Sequence, residues 1–294
     1  MKKILILLLL FALLCGCTPG EAPAQIAATT LPVYEFTSRL CQGTGITVTR
    51  LVTESVSCLH DYTLQVRQIR AIEAAELVVI NGAGLEDFLA DSLDTATVII
   101  DASAGIELLC PETAHEHEHD DHDDHGHHHD QDPHIWLSPV LASQMASNIC
   151  ESLCARYPQQ ETRIRGNLAA LQAELQALQA YGERTLAHLS CRELVTFHDG
   201  FAYLADSFGL TILEAVEEES GSEASALELI HLIGVVTEHE LPAIFTESNG
   251  SVAAAHTIAA ETGANVFSLD MVMAGDSYFD AMYHNIDTLK EALG

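Results

Sequence analysis

The chain has 294 residues, 12 basic against 43 acidic side chains, and a formal net charge of −31. Such acidity excludes a nucleic-acid surface, argues against direct docking on anionic lipid, and raises the local concentration of cations. What remains after an N-terminal leader is long enough for two domains of ordinary size.

Lys2 and Lys3 precede the continuous apolar run Ile4 to Leu14, which is too short for a permanent span and is laid out as a secretory signal. It ends in Leu14-Cys15-Gly16-Cys17, which resembles the bacterial lipobox, with Cys17 as the lipidated first residue of the mature chain. An ordinary cleaved signal or an uncleaved anchor is the alternative. Residues 18–25, with Pro19, Gly20 and Pro23, read as a tether. The expected location is extracytoplasmic, anchored to the bacterial cell membrane as a lipoprotein, and no later segment has the length and apolarity to span.

Strand patterns follow at Ile46–Val52, Leu77–Asn81, Thr97–Asp101, Leu194–Phe197, Ala243–Glu247 and Ala264–Leu269. Helical patterns lie between them at Tyr62–Ala75, Leu85–Ser92, Ala224–Glu238 and Val252–Thr262. This alternation predicts α/β architecture with mostly parallel sheets flanked by helices. One interruption, residues 141–190, is rich in Ala, Leu, Gln, Glu and Arg, with only Pro158 and two glycines as punctuation. It predicts a helix linking an N-terminal lobe (26–140) to a C-terminal lobe (191–294), with a ligand cleft between them.

The stretch His115-Glu-His-Glu-His-Asp-Asp-His-Asp-Asp-His-Gly-His-His-His-Asp130 holds eight of the sixteen histidines: His115, His117, His119, His122, His125, His127, His128 and His129. With no apolar residue to bury and many like charges, it predicts a disordered loop over 112–132. Its imidazoles and carboxylates suit Zn²⁺ and other divalent first-row ions. A solvated acidic linker is the bland alternative. Outside it, four residues sit at strand ends or helix starts, where open parallel sheets place ligand groups. These are His60, His134, His198 and Asp270, two from each half; three imidazoles and one carboxylate make a closed tetrahedral Zn²⁺ set. Water, or Glu247 at an adjacent strand end, is the alternative fourth ligand, and Asp199 and Glu247 are candidate acceptors for the liganding rings. His188, His231, His239, His256 and His284 read as structural or solvent-exposed. Cys41, Cys58, Cys110, Cys150, Cys154 and Cys191 are even in number in an exported chain, so disulfides and buried free thiols both stay open.

Four motifs carry a resemblance over essentially the whole mature chain: His60-Asp61-Tyr62, the run Ala75 to Glu86, Asp132-Pro-His-Ile-Trp-Leu-Ser-Pro139, and His198-Asp-Gly-Phe-Ala-Tyr-Leu204. They are similar to the solute-binding lipoproteins that feed zinc or manganese to ABC importers, and residues 276–293 are similar to that family's closing helix. The resemblance implies two α/β lobes joined by one long rigid helix, with the metal in the cleft. It implies His60, His134 and His198 as histidine ligands, Asp270 as the carboxylate, an ABC permease as partner, and a monomer. Manganese-handling relatives place a carboxylate where His198 stands; a third imidazole favours Zn²⁺ on ligand type. Two departures stand out. Val56-Ser-Cys-Leu59 replaces a Gly- and Pro-containing turn before His60. Met271-Val-Met-Ala-Gly275 replaces a Pro and Gly turn after Asp270. Cys58 is thereby a further donor, a disulfide partner for Cys41, or a packed thiol. The reading is a zinc-binding receptor delivering Zn²⁺ to an importer. The alternatives are a manganese receptor, a surface metal buffer or adhesin, and a zinc-dependent hydrolase. For the last there is no H-E-x-x-H helix, G-x-S-x-G elbow or P-loop.

Overall fold

The computed structural model describes residues 24–54, 59, 62–92, 98–109, 131–216, 225–248 and 252–294. The signal and lipobox, the loop histidines, Cys58, Cys110 and His60 lie outside these.

Two four-stranded parallel sheets form the framework among the described residues. The first contains β1 (Ile26–Ala28), β2 (Val48–Arg50), β3 (Leu77–Ile80) and β4 (Val98–Asp101) in the order β2-β1-β3-β4. The second contains β5 (Glu193–Thr196), β6 (Thr211–Ala215), β7 (Ala243–Glu247) and β8 (Asn265–Leu269) in the order β6-β5-β7-β8. The two lobes are thus wound identically, and each reverses direction between its first and third strands. Crevices at the carboxyl ends of the strands open at such reversals.

The helices are α1 (Leu31–Leu40), α2 (Val66–Ala74), α3 (Pro139–Arg156), α4 (Glu161–Thr185), α5 (Ala202–Ser207), α6 (Ala226–Glu238), α7 (Ala253–Thr262) and α8 (Tyr278–Leu293). The helical stretch expected as one linker over 141–190 is divided. Pro158 cannot continue a helix, and a 3-10 turn at Pro158–Gln160 separates α3 from α4. Helix α3 folds back along α4 and covers β4 and α1, so it belongs to the first lobe. The long connecting helix is α4, which packs on α1 of one lobe and α8 of the other. It buries Ile164, Leu171, Leu175, Leu178 and Gly182 along one stripe. Arg39 of α1 grips Glu174 at 2.6 Å, and Tyr181 donates to Asp287 of α8 at 2.6 Å. A Cβ at Gly182 would stand 2.2 Å from the Phe208 ring, so only glycine lets the second lobe close against the helix.

One continuous buried cluster runs from Ile26 to Leu293 through both lobes. At its centre Trp136 is fully buried; its indole N–H donates to the Met271 carbonyl at 2.7 Å, and its own carbonyl accepts from the Tyr278 hydroxyl at 2.8 Å. Arg50 donates to the Gly275 carbonyl at 2.7 Å, and Leu31 N–H to the Met273 carbonyl at 3.2 Å. The lobes are thus tied by hydrogen bonds onto the backbone carbonyls of residues 271–275 and by a shared core. Cys41, Cys150, Cys154 and Cys191 are free thiols. Burial pushes Cys41 up to about 12. Among the described residues no helix is long and apolar enough to cross a membrane.

Candidate metal centre

His198, Glu247 and Asp270 lie at or just beyond the carboxyl ends of β5, β7 and β8, whereas His134 stands just before a 3-10 turn over Ile135–Leu137. In the second lobe β5 runs out through Phe197, whose N–H bonds the Phe245 carbonyl at 2.8 Å, and the chain turns at His198 as Thr196 Oγ1 donates to the His198 carbonyl at 3.1 Å. The His198 ring lies over Gly200, where a Cβ would come within 2.7 Å of its Cδ2. Asp199 is half-buried in the same turn.

In the first lobe, Asp132 Oδ1 accepts twice from His134: from the backbone N–H at 2.9 Å and from ring Nδ1 at 2.7 Å, with both side chains buried. That contact assigns the proton to Nδ1 and leaves Nε2 as the lone-pair donor for a metal. The loop is held from behind by Asn81, whose amide donates to the Pro133 carbonyl at 3.0 Å. Asn81 is held in turn, because Glu86 accepts from the backbone N–H groups of Asn81 and Gly82 at 2.7 and 3.0 Å and from Thr29 Oγ1 at 2.6 Å.

The two lobes bring His134 and His198 face to edge, with ring centroids 5.4 Å apart and planes at 83°. Trp136 packs edge-on against His134 with ring centroids 5.3 Å apart. Glu247, at the end of β7, is buried with Oε2 3.9 Å from His198 Nδ1. Burial, then the charge of Asp270, pushes Glu247 up to about 8.

Asp270 leaves β8 with its backbone clamped by the buried Asn285. Asp270 N–H donates to Asn285 Oδ1 at 2.8 Å, and Asn285 Nδ2 to the Asp270 carbonyl at 2.7 Å. Asp270 Oδ1 accepts from Val272 N–H at 2.6 Å. This turn replaces the Pro and Gly turn of the resemblance, and it forces Val272, a β-branched residue, to φ +60°. Such a conformation persists only where neighbours over-determine it, here the Met271 and Met273 carbonyls held by Trp136 and Leu31.

Of the expected residues, the structure therefore pairs His134 with His198, sets Glu247 beside His198, and places Asp270 near Glu247. Among the described residues no three His, Cys, Asp or Glu side chains converge closely enough to hold an ion. A complete set needs a further donor, and His60 lies outside the described residues. His188, His231, His239, His256 and His284 are all exposed, His231 and His239 each on a surface carboxylate at 3.0 Å. Sequence reasoning missed Asp132 as the partner of His134; a carboxylate two residues before the histidine was the available signal. Replacing Asp132 by Asn is expected to weaken zinc binding about tenfold to a hundredfold, read by competition with a chelator. Unchanged affinity would deny Asp132 that role.

Two α/β lobes of identical winding, joined by a long helix, with one imidazole from each brought together, are the architecture of a bilobed solute-binding protein. Residues 26–292 match the family model described as ZnuA, zinc-uptake complex component A periplasmic, and the chain belongs to that family. The high-affinity zinc uptake system protein ZnuA of Bacillus subtilis is 32% identical over 304 residues, covering 96% of this chain and 94% of that protein. The zinc-binding lipoprotein AdcA of Streptococcus pneumoniae is 32% identical over 308 residues, and the alignment covers 99% of this chain and 61% of AdcA. A crystal structure of ZnuA superposes with a TM-score of 0.76 at 29% identity, covering 92% of this chain and 99% of the other. The family is one of transport components rather than enzymes, which sets the hydrolase alternative aside.

Proposed function

We propose that this chain is the extracytoplasmic receptor of a zinc importer: it captures Zn²⁺ in the cleft between residues 26–140 and 191–294 and hands it to an ABC permease. His60, His134, His198 and Asp270 are the ligands in this reading, with Glu247 and Asp199 supporting them. Cys17 carries the lipid anchor that keeps the receptor, a monomer, at the membrane. The observation that carries the reading is the facing pair His134 and His198, one from each lobe, the first with its Nδ1 proton committed to Asp132. Neutral imidazole nitrogens favour Zn²⁺ over Mn²⁺, which prefers oxygen. The family name and the relatives' names support zinc as the cargo.

The loop histidines, His115 to His129, then serve as a weak, many-ligand collector that raises the chance of capture under scarcity. Deleting residues 115–129 is expected to lower the total zinc bound while leaving one tight equivalent, with Mn²⁺ weaker by at least about a hundredfold. A chelator competition with both metals in parallel decides it. Loss of all tight binding on deletion would make the loop the functional element and favour a surface buffer.

A further inference from the structure

The Tyr203 hydroxyl occupies an unusual position. It stands on α5 of the second lobe, two residues beyond Phe201, which lies edge-on to the His198 ring at 6.5 Å. It donates to the Asp132 carbonyl at 2.9 Å and accepts from the Leu109 N–H at 2.9 Å. Leu109 and Asp132 are themselves joined, Asp132 N–H to the Leu109 carbonyl at 2.9 Å, and they flank the stretch that holds the clustered histidines. Asp132 in turn grips His134 through its carboxylate. One buried phenol from the second lobe thus ties together both ends of that stretch and, one residue removed, the His134 ring.

We propose that Tyr203 is a positioning residue for zinc capture: a latch across the cleft that fixes His134 relative to His198. The inference rests on the zinc-capture reading and names a residue through which that site works. Ring volume alone does not account for the arrangement, since a phenylalanine would fill the same space in the core. The hydroxyl adds one donor and one acceptor, each engaged with a backbone group of the opposite lobe. Without it, the buried Asp132 carbonyl loses this donor and the segment leading to His134 is released from α5. A metal site built from two lobes needs its ligands held to within about half an ångström, and partners one step behind a ligand set much of its affinity. Linkage makes the relation reciprocal: if the latch tightens zinc binding, zinc tightens the latch by the same factor.

The test uses the full chain with Tyr203→Phe. Zinc affinity by chelator competition is expected to fall about tenfold to a hundredfold. The visible absorption of the Co²⁺-loaded protein should change as well, since a purely structural loss would leave the metal's coordination unaltered. Wild-type affinity with a wild-type cobalt spectrum overturns the latch while leaving zinc capture standing; absence of tight zinc binding in the unmutated protein overturns zinc capture itself. Should the variant not fold, hydrogen exchange on the unmutated protein decides. Zinc is expected to slow exchange of the Leu109 amide, whose proton the Tyr203 oxygen holds, and an equal rate with and without zinc overturns the proposal.

Discussion

Replacing His134 with alanine is expected to weaken zinc binding by roughly a thousandfold, about 4 kcal/mol at 1.4 kcal/mol per decade. The size follows from how completely this ring is prepared. Its Nδ1 is committed to Asp132 at 2.7 Å, its backbone N–H is held by the same oxygen, and Trp136 and His198 flank its ring. No mobile side chain can take over a position fixed from so many directions, and an open fourth position would be filled by water. Loop histidines do not compensate, because a flexible imidazole must be ordered at an entropic cost before it ligates. The metal-free variant should still fold, losing about 1–3 kcal/mol because the buried Asp132 carboxylate is left without its ring partner. Two controls separate the effects: His188→Ala, on an exposed residue, should change neither quantity, and His134→Ala combined with loop deletion should bind no tighter than His134→Ala alone. A His134→Ala protein that retains full affinity would remove this residue from the ligand set.

How far the sequence reveals this site depends on what kind of signal each residue leaves. Strands such as Leu77–Ile80 and Ala243–Glu247 are apolar, partly β-branched runs buried in parallel sheets, and such runs are visible directly. β1 is only Ile26–Ala28, three residues lying just beyond the tether, and β6 is an edge strand of half-exposed residues. Neither carries a period long enough to detect, yet β1 is the centre around which the first lobe winds. Helix α1 is missed for a related reason: it follows β1 within three residues. The break at Pro158 is written in the sequence, but equal helical composition on both sides hides the reversal of direction. The closeness of His134 and His198 is foreshadowed in the sequence because each heads a short motif, Asp132-Pro-His and His198-Asp-Gly, of residue types that suit a metal. Asn81, Glu86 and Tyr203 are not foreshadowed, because their roles come from partners 52, 57 and 71 residues away.

Glu247 gives the second large effect, and it ties affinity to stability through a single proton. In the metal-free protein burial and the neighbouring Asp270 raise this carboxyl from 4.5 to about 8. The folded state therefore holds a proton that the unfolded chain releases from about pH 4.5 upward. The stability owed to this group is fully present below pH 4.5 and is lost progressively as pH rises to about 8, by up to a few kcal/mol at about 1.4 kcal/mol per unit. Glu86, pushed up to about 7 by burial, adds a similar decline that ends one unit lower. Thermal melts of the metal-free protein should accordingly fall between pH 5 and 8, and Glu247→Gln should raise the melting temperature at pH 8 while changing little at pH 5. A divalent cation beside the carboxylate reverses the preference: zinc favours the charged form, so binding below pH 8 expels the proton. Zinc affinity should thus rise about tenfold per pH unit on approaching 8. In Glu247→Gln this slope below pH 8 should vanish. If the variant keeps the full slope, the proton that zinc displaces belongs to another group and Glu247 has no electrostatic part in capture. If the slope vanishes and the metal-free protein becomes more stable, the carboxylate is a stored instability that the ion relieves, which makes the loaded receptor both tighter and firmer than the empty one.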